Sequence, residues 1–160
     1  MKMLDELQAD LGQQLENRAV SLLAVREHGR KELRYKLLQK CPEAQDQPGL
    51  VDSVLDALAQ KGWLSDDRFI EQYVRQACEK GQGPYKIRQA LQQRSDVNEL
   101  IESYLAMDDQ DWADIARASL VKKYGDAQQP GQAKEQARRM RFLQSRGFSQ
   151  SQIWKAFKSS

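Results

Sequence analysis

The chain has 160 residues, of which 40% are hydrophobic and 30% charged, with 4 prolines, 9 glycines and a formal net charge of +2. No apolar run approaches the roughly 20 residues of a membrane span, and Met1–Gly12 carries Asp5, Glu6 and Asp10 without the apolar core of a signal peptide. A cytosolic, helical protein is expected, with Cys41 and Cys78 reduced and non-catalytic because they lie in unlike contexts without a Cys-x-x-Cys or Cys/His cluster.

Apolar residues recur at spacings of three and four rather than two, which predicts helices and no strands. Leu4, Leu7 and Leu11 suggest a helical lead-in, and Leu15, Ala19, Leu22 and Leu23 mark the first long helix. Gly29 reads as the residue that closes it in a left-handed conformation. A short helix over 31–40 follows, inward through Leu33, Leu37 and Leu38. Cys41-Pro42 breaks it, since proline disfavours a helical residue before it. Glu43–Gln47 reads as a loop, and Pro48 opens a helix inward through Leu50, Val51, Val54, Leu55 and Leu58 that Gly62 stops.

The next helix has a well-marked start. Ser65 can cap free N–H groups, Asp66 and Asp67 complement the positive end of the dipole, and Leu64 and Phe69 have the spacing of a hydrophobic staple. Its apolar face continues through Tyr73, Val74 and Ala77. Gly81-Gln82-Gly83-Pro84 breaks the chain, with proline where a first helical turn needs no N–H. A helix through Ile87, Ala90 and Leu91 follows, then one beginning at Ser95-Asp96 and inward through Val97, Leu100, Ile101, Tyr104 and Leu105. Trp112, Ala116 and Leu120 line the next, closed by Tyr124-Gly125. A longer loop through Pro130 and Gly131 leads to a basic helix over 133–146, with Ala137, Met140 and Leu143 inward. Gly147 ends it. Ser149 and Gln152 then have capping-box spacing, with Phe148 and Ile153 as the staple pair and Trp154 and Phe157 in the last helix.

Part of this pattern occurs twice. A shift of 54 residues pairs Gly29 with Gly83, Leu33 with Ile87, Arg34 with Arg88, Leu37 with Leu91 and Lys40 with Arg94. Such self-similarity is the mark of a modular helical array. The fold expected is all-α: an elongated array of three tandem three-helix repeats, at 16–62, 63–108 and 109–160, after a lead-in at 1–15. The charges divide unevenly along it. Basic and acidic residues number 1 and 3 in the lead-in, 8 and 7 in the first repeat, 6 and 8 in the second, and 10 and 5 in the third. A basic third repeat attracts polyanions or an acidic protein surface.

Catalytic chemistry finds little support. His28 is the sole histidine, so a histidine-assisted nucleophile has one base and no partner motif. At a helix end it is expected to cap carbonyls or face solvent. Asp66-Asp67 and Asp108-Asp109 precede helices, where carboxylates favour the dipole, and Asp108–Asp111 lacks the glycine and terminal glutamate of a calcium loop. No phosphate-binding loop or dinucleotide fingerprint is present, so a non-enzyme without cofactor or metal is expected. The aromatic residues Trp63, Phe69, Tyr73, Trp112, Phe148 and Trp154 are expected to pack in the core. The basic residues are the better candidates for a partner surface. Lys134, Arg138 and Arg141 flank one side of the apolar stripe on the basic helix, and Arg139 and Arg146 the other, with Glu135 as the one acid on that helix to pair with them.

The segment Leu64-Ser-Asp-Asp-Arg-Phe69, followed by Lys80-Gly-Gln-Gly-Pro84 and Lys86-Ile-Arg88, resembles the central signature of the bacterial RecX regulatory family. Glu32-Leu33-Arg34 with Lys36-Leu37 resembles its first-repeat motif, and Asp111-Trp112 with Lys122-Lys123-Tyr124-Gly125 its third. The resemblance runs from about residue 17 to 157. Two stretches depart from the pattern: Arg94-Ser95-Asp96-Val97 stands where the family has Lys-Gly-Ile, and Gln76-Ala77-Cys78-Glu79 where it is richer in basic residues. The resemblance implies a monomeric modulator, mainly an inhibitor, of the RecA recombinase. It would lie in the groove of the RecA filament on single-stranded DNA, lower ATP hydrolysis, strand exchange and co-protease activity, and bind single-stranded DNA itself weakly at most. The residues expected to meet the partner are Arg34, Lys86, Arg88, Lys122, Lys123, Lys134, Arg138, Arg139, Arg141 and Arg146. A helical module that binds nucleic acid without RecA is the competing reading. The net charge of −2 on 63–108 weighs against it.

Overall fold

A computed structural model describes residues 2–158. Among them lie nine α-helices and no strand: α1 (Lys2–Val25), α2 (Arg30–Lys40), α3 (Pro48–Gln60), α4 (Asp66–Glu79), α5 (Pro84–Gln92), α6 (Asn98–Leu105), α7 (Asp109–Tyr124), α8 (Ala133–Ser145) and α9 (Gln150–Lys158). They form two compact units. The first holds the described residues up to Ile70 together with Gln93–Asn98; the second holds Glu71–Gln92 and the described residues from Glu99 onward.

In the first unit α1 packs on α2 and α3, enclosing Leu15, Leu33, Leu37, Val51, Leu55 and Leu58, all fully buried. The lead-in and the first long helix are one continuous α1, because no proline interrupts residues 2–25 and the helix runs through Gly12. Its leading turns leave Met3, Leu4 and Leu7 exposed, and burial begins at Leu11. The segment expected as a loop after Pro42 is a 3-10 turn, Pro42–Asp46, which buries Ala44. Ser65 caps α4 as expected, its hydroxyl accepting the Arg68 N–H at 3.2 Å, and Leu64 and Phe69 are both buried. Trp63 corrects the expectation for the aromatics: it is 49% exposed, with the Lys61 ammonium 5.9 Å from its ring.

Gly29 has a different role from the one its position suggests. Its φ is −73°, and it precedes α2 as N-cap rather than closing α1. Any side chain there would collide with the Arg94 carbonyl oxygen, and a Cβ would lie 2.9 Å from the carbonyl carbon. That carbonyl, just past α5, accepts the Glu32 N–H at 3.2 Å. The requirement is close backbone approach, not positive φ. His28 bonds a carbonyl at the helix end, one of the two expectations, but does not face solvent. It is buried, 2% exposed, with Nδ1 3.1 Å from the Arg26 carbonyl oxygen and Nε2 3.0 Å from Lys36 Nζ. A carbonyl only accepts and an ammonium only donates, so Nδ1 carries the proton and Nε2 accepts from Lys36. Burial lowers the imidazole pKa, and the cations Arg26 and Lys36 oppose its charging further, although the hydrogen bond to Arg26 and the Glu32 carboxylate work the other way.

The second unit repeats the same device. Gly83 precedes α5, and a Cβ there would fall 2.6 Å from the carbonyl carbon and oxygen of Gly147. The Gly83 and Tyr85 N–H groups donate to the Arg146 and Gly147 carbonyls at 2.7 and 3.0 Å. The turn after α8 therefore meets the start of α5 as the turn after α5 meets the start of α2. α7 packs mainly on α9, with Trp112, Ala116, Leu120 and Ile153 enclosed. The capping box forms reciprocally: the Ser149 N–H donates to Gln152 Oε1 at 2.9 Å and the Gln152 N–H to Ser149 Oγ at 3.2 Å. Val97, expected inward, is 41% exposed, because α6 starts only at Asn98 and leaves that residue in the preceding turn.

A basic and aromatic candidate partner surface

The acidic pairs are built into the fold. Asp66 Oδ1 accepts the Arg30 N–H at 2.9 Å, Asp108 caps α7 through the Asp111 N–H at 2.8 Å, and Asp109 accepts from Ser151 and Gln152 at 3.1 and 3.2 Å. No cluster of three or more His, Cys, Asp or Glu side chains able to hold a metal occurs among the described residues. Nor is any described helix long and apolar enough to cross a membrane.

Positive charge gathers in the second unit, at the end of α7 and along α8. Lys122 and Lys123 occupy the last turn of α7, where cations complement the helix dipole. Around them Tyr124 and Phe142 meet edge to face, with centroids 5.7 Å apart at 89°. Lys123 Nζ lies 4.4 Å from the Phe142 centroid, and the Arg146 guanidinium 5.3 Å from the same ring. Arg138 and Arg139 lie 5.3 and 4.7 Å from the Tyr124 centroid. These cation–π contacts fix the aliphatic stems and aim the charges.

The candidate residues differ in how they are held. Arg139 is held closely: its side chain is only 12% exposed and bonds Asp126 at 2.8 Å, which keeps that carboxyl below its ordinary pKa. Asp126, in the loop before α8, adds to Glu135 as an acid serving this helix. Arg138 pairs with Glu135 at 3.3 Å yet remains 61% exposed. Lys86, Lys122, Lys134 and Arg141 are exposed and form no ion pair or side-chain hydrogen bond among the described residues. Arg34 and Arg88, equivalent in the internal repeat, both reach an acid on the following helix. Arg88 on α5 grips Glu102 on α6 with two hydrogen bonds, 2.5 and 3.0 Å, whereas Arg34 on α2 stands 3.3 Å from Asp52 on α3. Sequence reasoning missed the part played by Tyr124 and Phe142. Its trace was present, since Arg138, Phe142 and Arg146 recur at spacings of four on one rib of α8.

The family model described as RecX, third three-helix domain, matches residues 109–157, and that of the second three-helix domain matches 65–103. The regulatory protein RecX of Halorhodospira halophila is 42% identical over 135 residues, spanning 84% of this chain and 81% of that protein. The RecX of Vibrio vulnificus is 37% identical over 84% of this chain and 85% of its own length. Among solved structures, RecX from Lactobacillus salivarius superposes with a TM-score of 0.75 at 20% identity, covering 94% of this chain and 96% of that one; at that identity the likeness concerns the fold. Kinship at 42% over most of both chains goes further: this chain belongs to the RecX regulatory family.

Proposed function

We propose that the protein is a non-catalytic, cytoplasmic regulator that binds RecA recombinase filaments on single-stranded DNA. It lies in the filament groove as a monomer and lowers ATPase, strand-exchange and co-protease activity. Family membership carries this reading. The basic face of α7 and α8 supports it physically, because exposed cations steer association with an acidic or polyanionic surface. Lys86, Lys122, Lys123, Lys134, Arg138, Arg141 and Arg146 supply the attraction. Arg139 sets the position of α8 through Asp126, and Arg34 and Arg88 pair with acids of their own units. An array of three-helix repeats reaching more than one protomer would gain avidity that a single contact lacks.

Fluorescence anisotropy of the labelled protein tests this against direct nucleic-acid binding. The expected result is a large rise on RecA-coated single-stranded DNA and a small one on the same DNA alone. Equal titration curves with and without RecA would overturn the proposal in favour of a nucleic-acid module.

A further inference from the structure

Three of the large hydrophobic side chains exposed in the first unit crowd the start of α1. Every residue from Met3 to Asp10 is exposed, and Met3, Leu4 and Leu7 are 73%, 66% and 59% exposed. Leu4, Leu7 and Leu11 recur at the three-and-four spacing of one helix face. Such a face ordinarily meets a core, and Leu11 does, at 8% exposure. Ahead of it the stripe borders an open groove of about 380 Å³, whose lining also takes in Glu43 in the 3-10 turn and Gln47 just past it. A contiguous apolar patch with a polar rim marks a docking surface.

The charges around this stripe share one sign. Asp10 and Glu43 line the groove, with no Lys, Arg or His among its described lining residues, and Asp5 and Glu6 stand on the same turns of α1. None of the four carboxylates pairs with a cation among the described side chains. A second copy of α1 would bring like charges together. A membrane-surface helix carries Lys and Arg beside its apolar face, whereas the lead-in has 3 acidic residues and 1 basic. We infer that the leading turns of α1 and this groove bind a basic amphipathic helix of a partner protein. Its apolar side chains cover Leu4 and Leu7, and its lysines or arginines reach Asp10 and Glu43. Binding here needs neither the basic face of α7 and α8 nor RecA.

The test titrates isotope-labelled full-length protein with an acetylated, amidated lysine–leucine peptide of about 18 residues, long enough to be helical, with leucines at three-and-four spacing. The amide resonances of residues 4–11 should move saturably, with half-saturation at or below about 1 mM. The glutamate–leucine counterpart, and a lysine–leucine peptide with its leucines scattered round the helix, should move them little. Leu4→Ala with Leu7→Ala changes only exposed side chains and keeps good helix formers; it should weaken binding about tenfold or more. Asp5→Asn, Glu6→Gln and Asp10→Asn together should weaken it comparably and reduce its salt dependence. Unmoved resonances, an equal response to either control peptide, or undiminished binding by either folded variant would overturn the inference. Sedimentation showing self-association of the parent that the leucine variant abolishes, or movement of the same resonances on anionic vesicles, would overturn it as well.

Discussion

Replacing Gly29 by alanine isolates the backbone approach that the first unit depends on. The φ of −73° is open to any residue, so the substitution adds no torsional strain and its effect is steric. The new methyl would overlap the Arg94 carbonyl and stand 3.2 Å from a ring carbon of Phe69. Both neighbours are poorly placed to yield: one is main chain, and Phe69 is only 3% exposed. Overpacking of this kind costs about 1–3 kcal/mol. Displacing the carbonyl also weakens its 3.2 Å bond from the Glu32 N–H, worth about 1 kcal/mol. Reduced freedom of the unfolded chain returns about 0.4–1 kcal/mol. The net loss is about 1–3.5 kcal/mol, or a fall in Tm of roughly 3–12 °C for a chain of this size. Urea titration followed by circular dichroism measures it, with Gly49→Ala as control. Nothing lies within 4 Å of a Cβ at Gly49, which sits in α3, so alanine there should stabilise by about 0.5–1 kcal/mol. Gly29→Ala and Gly49→Ala proteins of equal stability would refute the reasoning.

Phe69→Ala removes a buried ring from the first unit and should destabilise by about 3–5 kcal/mol in the same titration; an unchanged midpoint would place the ring outside the core. His28 gives a pH signature. Its pKa is lowered in the folded state, so the unfolded chain takes up a proton first as pH falls. Its contribution to stability is therefore complete above the ordinary histidine pKa of about 6.5 and is lost as pH drops toward the folded value. His28→Gln should flatten the stability profile over that window, and an identical slope in both proteins would contradict the assignment. Arg139→Glu should lower stability by placing an acid beside Asp126 and Glu135, whereas Arg141→Glu should leave it within about 0.5 kcal/mol; equal unfolding midpoints would erase the distinction between the two.

Residues whose partners lie nearby in sequence were the readable ones. Ser149 and Gln152 cap each other across one turn, and Leu33 and Ile87 are both fully buried at equivalent places in the repeat. Gly29 was misread because a glycine that closes a helix and one that admits a distant carbonyl look alike until Arg94 arrives. His28 followed the same rule: its burial and its contact with Lys36 come from the turn between two helices, not from its position at a helix end. On the candidate surface, helical spacing assigns Arg138 and Arg139 to opposite flanks of α8, but both reach Glu135 and the Tyr124 ring. It could not show that Asp126, outside the helix, would bond Arg139 and reduce its exposure to 12%. Trp63 stayed near the surface despite its size, since it follows Gly62 in a turn and Lys61 covers its ring.

The central claim, regulation of RecA through a basic face, is tested most directly by RecA ATPase on single-stranded DNA, titrated with the parent and with a Lys134→Glu, Arg138→Glu, Arg141→Glu triple variant. These three side chains are exposed, so the variant should remain helical by circular dichroism. Single exposed ion pairs contribute little and are screened over about 8 Å at physiological salt, which is why the three are reversed together. The account predicts that the parent lowers the hydrolysis rate, that this effect fades as salt rises, and that the folded variant needs about tenfold more protein for the same inhibition, mainly through slower association. A parent protein that leaves RecA hydrolysis unchanged, or a folded variant that inhibits as well as the parent across that salt range, would contradict it.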